Sequence, residues 1–264
     1  MGCITLLSDF GLQDASVAAA KGIIMQHVPN AQLVDISHLV ETFHLQQAAY
    51  LLLSAYRHFP KGTCHVLLFD IFSEKSPRLV LCEHDGHYFL AADNGILSMA
   101  FGASIIKVWQ CYELDGSGVF GDWLNEIGKV AAQLQTNTPQ DLGLTVCTLK
   151  NAPHHWLPKV EEDIIECHVI HIDRYENVVV NLTQEQFESY RKGRGFRIQF
   201  MRDEELSQIS THFYNVHEGQ KLCRFNSTGF LEIGINRGKA ASLFGFKLFR
   251  ENHFIYSSIK IFFQ

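Results

Sequence analysis

Apolar residues in this chain gather in short runs set apart by polar turns. Ile4 to Leu7 is the first such run; it ends at Ser8-Asp9-Phe10-Gly11, and Ser16 to His27 then shows small and apolar residues at helical spacing, closed by Pro29-Asn30. The same strand, loop and helix unit recurs. Gln32 to Ile36 predicts a strand, Leu45 to Arg57 a helix, and Thr63 to Asp70 a third strand. Near-continuous apolar strands alternating with helices predict an α/β domain whose mostly parallel sheet is covered by helices on both faces. Leu79 to Glu83 and Tyr88 to Ala92 predict two further strands, the second ending at Asp93-Asn94-Gly95, and Leu124 to Leu134 predicts a later helix.

The pattern changes between Gln135 and Pro158, where Thr136-Asn137-Thr138-Pro139 and Pro153-His154-His155 punctuate the chain. This predicts an N-terminal α/β domain over 1–152 and a second domain over 160–264. In the second half, Asp163 to Asp173, Asn177 to Leu182, Gly195 to Phe200, Lys221 to Phe225 and Phe230 to Ile235 read as short strands with no helix of any length between them. They predict a smaller all-β domain, an antiparallel barrel.

Composition narrows the function more than the fold. The 264 residues are 47% hydrophobic and carry a net charge of −6 without a Lys/Arg-rich run, which argues against nucleic-acid and membrane-surface partners. The seven cysteines are widely spaced and form no C-x-x-C pair, so buried reduced thiols are expected in place of a disulfide framework or thiolate zinc site. With no signal-peptide pattern at Met1-Gly2-Cys3 and no apolar run of membrane-spanning length, the expected location is cytoplasmic.

In a parallel sheet, ligands collect at the carboxyl ends of the strands, and several carboxylates fall there: Asp9, Asp35, Asp70 and Asp93, with Asp14 in the first loop. Such a group can accept both hydroxyls of a ribose diol or orient a water, and any one of them can equally serve as a helix N-cap. No G-x-G-x-x-G, phosphate-loop lysine or G-x-S-x-G motif occurs, and the histidines show no metal-ligand spacing, so no metal or cofactor is expected. In the second half, His171-Ile172-Asp173-Arg174-Tyr175-Glu176-Asn177 and Asn226-Ser227-Thr228-Gly229-Phe230-Leu231-Glu232-Ile233 place short polar groups at strand ends next to aromatics. Asx turns would account for either motif alone.

Taken together, these segments give the chain a family resemblance. Thr5-Leu6-Leu7-Ser8-Asp9-Phe10-Gly11 with Asp14, Val34-Asp35-Ile36-Ser37-His38, Phe59-Pro60-Lys61-Gly62-Thr63, Asp93-Asn94-Gly95, Ile172 to Asn177 with Asn181, and Asn226-Ser227 through Asn236-Arg237-Gly238 resemble the S-adenosylmethionine hydroxide adenosyltransferase family, relatives of the chlorinating and fluorinating enzymes that use the same substrate. The resemblance runs nearly end to end. It implies a homotrimer with substrate sites between the N-domain of one subunit and the C-domain of the next, and displacement at the ribose C5′ carbon with methionine leaving. It further implies that Asp9 holds the ribose hydroxyls, that Phe43 lies against the substrate with Asn94 in the binding set, and that Asn177 reads the adenine edge. By the same resemblance Phe213 stacks near the base, Asp173 pairs with the methionine ammonium and Ser227 meets its carboxylate. Core packing is the other reading of Phe43 and Phe213.

The sequence departs from the family where its hydrolytic members position water with an Asp, an Arg and a His. Asp70 is kept, Pro77 falls on the place of the first of two arginines and only Arg78 remains, and Phe120-Gly121-Asp122-Trp123 replaces the segment that bears the histidine. The halogenating members have a Tyr in place of the aspartate. The resemblance thus implies a hydrolase forming adenosine and methionine, with Asp70 and Arg78, or Lys75 in its stead, as catalytic residues. The alternatives are a non-catalytic protein that binds S-adenosylmethionine or adenosine, and an enzyme acting on a related adenosyl substrate.

Overall fold

The computed structural model describes residues 2–105, 107–115, 118–151, 157–201, 204–250, 253–254 and 257–264. The chain falls into two compact units, Met1–Pro153 and His154–Gln264.

The first unit runs β1 (Cys3–Ser8), α1 (Ser16–His27), β2 (Gln32–Ser37), α2 (Leu45–Ala55), β3 (Cys64–Leu68), β4 (Arg78–His84), β5 (His87–Ala92), α3 (Ile96–Phe101), β6 (Lys107–Glu113), α4 (Phe120–Gln133) and β7 (Thr145–Val146). Its seven-stranded sheet has the order β2-β1-β3-β5-β4-β6-β7. The pairs β1–β2, β1–β3 and β3–β5 are parallel, and β4–β5, β4–β6 and β6–β7 are antiparallel. The sheet is therefore mixed where the sequence pattern predicts a mostly parallel one. The reason is local: Asp85 at φ 48° and Gly86 at φ 70° make the left-handed two-residue turn that folds β4 back on β5 with His84 opposite His87.

Alternation along the strands sends two sets of side chains to opposite faces. Ile4, Leu6, Val66, Leu68, Leu81 and Leu90 share a core with Ala20 and Ile24 of α1 and Trp123, Leu124 and Ile127 of α4. On the other set, Thr5 bonds to His65, whose ring stacks on Phe89, and Tyr56 and Phe101 close against Phe89 edge to face and tilted.

The second unit runs β8 (Lys159–Val160), β9 (Ile164–Ile172), β10 (Val178–Thr183), α5 (Gln184–Arg191), β11 (Phe196–Met201), β12 (Glu204–Leu206), β13 (Lys221–Phe225), β14 (Phe230–Ile235), α6 (Ala240–Phe244), β15 (Phe249–Arg250), β16 (His253–Phe254) and β17 (Ser258–Phe263). Apart from the small β15–β16 hairpin, its strands form one eight-stranded sheet of order β12-β11-β17-β9-β10-β14-β13 with β8 added on β9. Every strand pair in it is antiparallel. One side is a continuous apolar core that includes Ile165, Val178, Val180, Phe187, Leu231, Ile233 and Ile261.

The helix α5 corrects the expectation of strands without helices. Only Phe187 of its eight residues is buried, so no apolar stripe announces it. It is started by reciprocal bonds: Gln186 N–H donates to Thr183 Oγ1 at 3.3 Å and Thr183 N–H to Gln186 Oε1 at 3.0 Å. Among the described residues, no helix is long and apolar enough to cross a membrane.

Candidate active site

Strands β1 and β3 lie side by side in parallel with Ser8 opposite Leu68, so the residues that follow them emerge at the same edge of the sheet. Those residues include Asp9 and Asp70, and both line one cavity of about 470 Å³. Phe10, Ile71, Phe72, Phe43 and Phe120 supply most of its wall, with Thr42 and Ser16 as the neutral polar members. Phe10 and Phe120 meet edge to face at 5.5 Å, which ties the first loop to the start of α4.

The Asp9 carboxylate accepts the Phe43 N–H at 2.8 Å through Oδ2 and takes a second backbone bond from its own N–H, with lone pairs still left for a ligand. Partial burial raises its pKa above the ordinary carboxylate value; the Phe43 N–H pulls it back and the charge on Asp70 adds to the rise. Two of the lining residues hold left-handed backbone, Phe43 at φ 62° and Asp70 at φ 43°. Such conformations cost about 1–3 kcal/mol in a residue other than glycine and persist where the surroundings enforce them. Among the described lining residues the only charged groups are these two carboxylates. An apolar cavity of that kind favours a cationic ligand that also presents hydroxyl donors.

Arg78 and Asn94 are not among the residues lining this cavity. Arg78, first residue of β4, pairs its guanidinium with Asp93, whose side chain is nearly sealed from solvent. The other Asp93 oxygen accepts the Lys150 N–H at 2.9 Å. Asn94 donates from Nδ2 to the Phe69 carbonyl at 2.9 Å and accepts the Ile96 N–H at 3.2 Å. It therefore braces the backbone just before Asp70 against the start of α3.

In the second unit, Asn177 and Phe213 line a cavity of about 620 Å³ together with Arg174, Tyr175, Arg237 and Lys239. Asp173 stands directly behind it: Oδ1 accepts the N–H groups of Tyr175 at 2.9 Å and Asn177 at 2.8 Å, and Oδ2 accepts from Asn177 Nδ2 at 2.9 Å. The Asx turn thus fixes the Asn177 amide so that its oxygen is left for other partners. Ser227 is exposed in the turn before β14 and is not among the residues lining this cavity; Asn226 Oδ1 holds that turn by accepting from Thr228 and Phe230.

Three neighbours in this unit were not singled out from the sequence. A methyl group on Gly234 would lie 2.6 Å from Asn177 Oδ1 and 2.8 Å from Phe213 Cε1, so glycine is what lets both side chains close on β14. Arg224 sits opposite Glu232 across β13 and β14, reaches its Oε1 at 3.3 Å and covers the Phe213 ring at 5.2 Å. Burial raises the pKa of Glu232, Arg224 works against the rise and Asp173 adds to it. The period of two in the strand puts Glu232 and Gly234 on one face, and that was the signal available in Leu231-Glu232-Ile233-Gly234.

Among the described residues, no group of three or more His, Cys, Asp or Glu is placed to hold a metal ion, and His154-His155 lie outside them.

An α/β unit with carboxylates at adjacent strand ends, followed by an antiparallel unit with a polar and aromatic cavity, defines a two-part architecture that known proteins share. The chain belongs to the SAM hydroxide adenosyltransferase family: residues 4–127 match its N-terminal domain and residues 167–251 its C-terminal domain. It is 27% identical over 267 residues to the (R)-S-adenosyl-L-methionine hydrolase of Methanocaldococcus jannaschii, covering 96% of this chain and 95% of that one. The protein of the same name from Thermus thermophilus is 26% identical, over 92% of this chain and 96% of the other. A fluorinase from Nocardia brasiliensis is 35% identical over only 60 residues, 23% of this chain and 20% of its own length. In structure, the chain superposes on an uncharacterized conserved protein from Thermotoga maritima with a TM-score of 0.78 and 25% identity, covering 98% of this chain and 99% of that one.

Proposed function

We propose that this protein hydrolyses S-adenosyl-L-methionine to adenosine and methionine. The observation that carries the reading is the pairing of Asp9 and Asp70 in one apolar cavity without a countercharge among its described lining residues. The substrate offers what such a cavity favours, a sulfonium cation beside a ribose diol. Asp9 accepts the two ribose hydroxyls with the lone pairs that Phe43 leaves open. Asp70 orients a water in line with the C5′–S bond. As the water oxygen bonds to C5′, the C5′–S electron pair leaves with sulfur as the neutral thioether of methionine, and the water proton passes to Asp70 and on to solvent. The sulfonium is a good leaving group, so alignment and partial desolvation of the water supply most of the acceleration.

Arg78 enters this scheme as a positioning residue, fixed on Asp93 at the strand edge. Asn94 likewise acts by bracing Phe69. In the second unit, which we read as a barrel closed by its long antiparallel sheet, Asn177 and Phe213 take the adenine, with Asp173 and Ser227 serving the amino-acid end. By family resemblance the working form is a cytoplasmic homotrimer in which two subunits build each site. A non-catalytic S-adenosylmethionine or adenosine binder is the second reading, favoured by the lack of any imidazole or cation among the described residues lining the first cavity.

Incubating the purified protein with S-adenosylmethionine and following adenosine and methionine by chromatography separates the two. Equal amounts of both products are expected. Asp70→Ala should lower kcat by about 10²-fold or more while adenosine affinity stays within about threefold. No product above spontaneous decay, with adenosine still bound, would establish the binder instead.

A further inference from the structure

The residue before Asp9 belongs to a hydrogen-bonded array that the scheme above does not use. Strand β2 is out of step with β1 just there: Leu6 pairs with Asp35 but Leu7 with Ser37, so Ile36 is an extra residue. A bulge of this kind re-aims the side chains that follow it. It sets His38 beside the end of β1, with Nδ1 2.6 Å from Ser8 Oγ and Nε2 3.0 Å from Asp35 Oδ1. Lys21 Nζ reaches the second Asp35 oxygen at 2.6 Å. Partial burial acts to raise the Asp35 carboxyl, and the bonds from Lys21 and His38 more than offset it, so its pKa falls below the ordinary value.

The approach of Nε2 to Asp35, close though not aligned as a hydrogen bond, favours the neutral His38 tautomer that carries its ring proton on Nε2, because a carboxylate can only accept. Nδ1 then accepts the Ser8 hydroxyl proton. Ser8 Oγ in turn accepts the Phe10 N–H at 3.4 Å, and the His38 carbonyl accepts the Gly11 N–H at 2.7 Å. The groups on either side of Asp9 are thereby both tied to His38. Ser8 is fully buried and His38 is 3% exposed, so the Ser-His-Asp arrangement is no nucleophile.

We propose that His38 is a positioning residue of the candidate active site, holding the Asp9–Gly11 turn through Ser8 and so setting the direction of the Asp9 carboxylate. The inference rests on the reading of Asp9 as the diol-binding residue.

The test uses two amides that each replace half of the imidazole. In His38→Asn the side-chain oxygen falls near the place of Nδ1 and can still accept from Ser8; in His38→Gln the amide falls near Nε2 and serves only Asp35. Adenosine affinity by calorimetry should fall about tenfold in Ser8→Ala and His38→Gln and stay within about threefold in His38→Asn. Added to Asp9→Ala, His38→Gln should cost nothing further. Equal losses in the Asn and Gln variants, or a loss that adds to that of Asp9→Ala, would overturn the proposal. If the wild-type protein binds no adenosine, the functional reading fails and this one is judged by amide exchange. The Phe10 and Gly11 N–H groups should exchange faster in Ser8→Ala and His38→Gln but not in His38→Asn, and unchanged exchange in all three would overturn it.

Discussion

The two cavities differ in what they leave unsatisfied. The one in the first unit has carboxylates with open lone pairs set in aromatic walls, and it holds Phe43 and Asp70 in left-handed backbone. In the second unit, Asp173 already accepts three bonds from Asn177 and Tyr175, and three of the cations are paired, Arg224 with Glu232, Lys239 with Glu176 at 2.8 Å and Arg237 with Glu218 at 3.2 Å, with Arg174 also lining the cavity. Open charge and strain are features of a place where bonds change; closed hydrogen bonding around an aromatic ring is a feature of recognition. Under the proposed function, the difference would give chemistry to the first unit and selection of the ligand to the second.

The largest expected break in that division is Asp9→Ala. It removes a carboxylate that takes two hydroxyl donors, each bond to a charged group being worth about 1.5–3 kcal/mol, so adenosine affinity by calorimetry should fall about 10²-fold or more. A loss under about threefold would reduce Asp9 to a brace for the Phe43 N–H. Gly234→Ala comes next, because its new methyl group pushes on Asn177 and Phe213 together. It should weaken adenosine about tenfold and cost about 1–3 kcal/mol in urea unfolding. If the second unit only selects, kcat at saturating substrate should stay within about threefold, and a collapse of kcat would blur the comparison.

The smallest effect is a difference in acid sensitivity. Burial, aided by His87, pushes the His65 ring down to about 3, and burial pushes His171 down to about 4 against the pull of Asp173. Each ring titrates near 6.5 in the unfolded chain, so between those values the unfolded state binds protons that the folded state refuses. Stability contributed by the neutral rings is complete above about pH 6.5 and is lost as pH falls toward 4 and 3. The first unit also buries His87, lowered chiefly by burial, and should lose more. Two of the three tryptophans, Trp109 and Trp123, are buried there, so tryptophan fluorescence of a Trp156→Phe variant in urea at pH 7.5 and 4.5 reads that unit. A midpoint that does not move would show the histidines to be accommodated without cost.

Periodicity made much of the fold legible. The limits of α1, β13 and β14 can be read straight from apolar spacing. The direction of β4 was not legible from apolar content, because a strand buried on both faces looks the same whichever way it runs; the Asp85-Gly86 pair was the available sign. In the site, Asp9 and Asp70 stood out because several carboxylates gather at the carboxyl ends of neighbouring strands, where each alone could equally cap a helix. Arg78 was harder: a single sequence does not say which carboxylate an arginine will reach, and Asp93 lies closer along the sheet edge, its N–H bonded to the Arg78 carbonyl at 3.0 Å. His38 was invisible as a partner of Ser8 because their meeting depends on a one-residue slip in pairing.

That slip also sets how the segment can vary between descendants. Side chains alternate in strands, so removing Ile36 would restore even pairing with β1 and turn His38 away from Ser8. Exchanges of one residue for another leave the count intact. The stretch from Asp35 to His38 is therefore expected to drift in identity at its solvent-facing places while its length stays fixed, and a library of single deletions should find this the least tolerant position on β2.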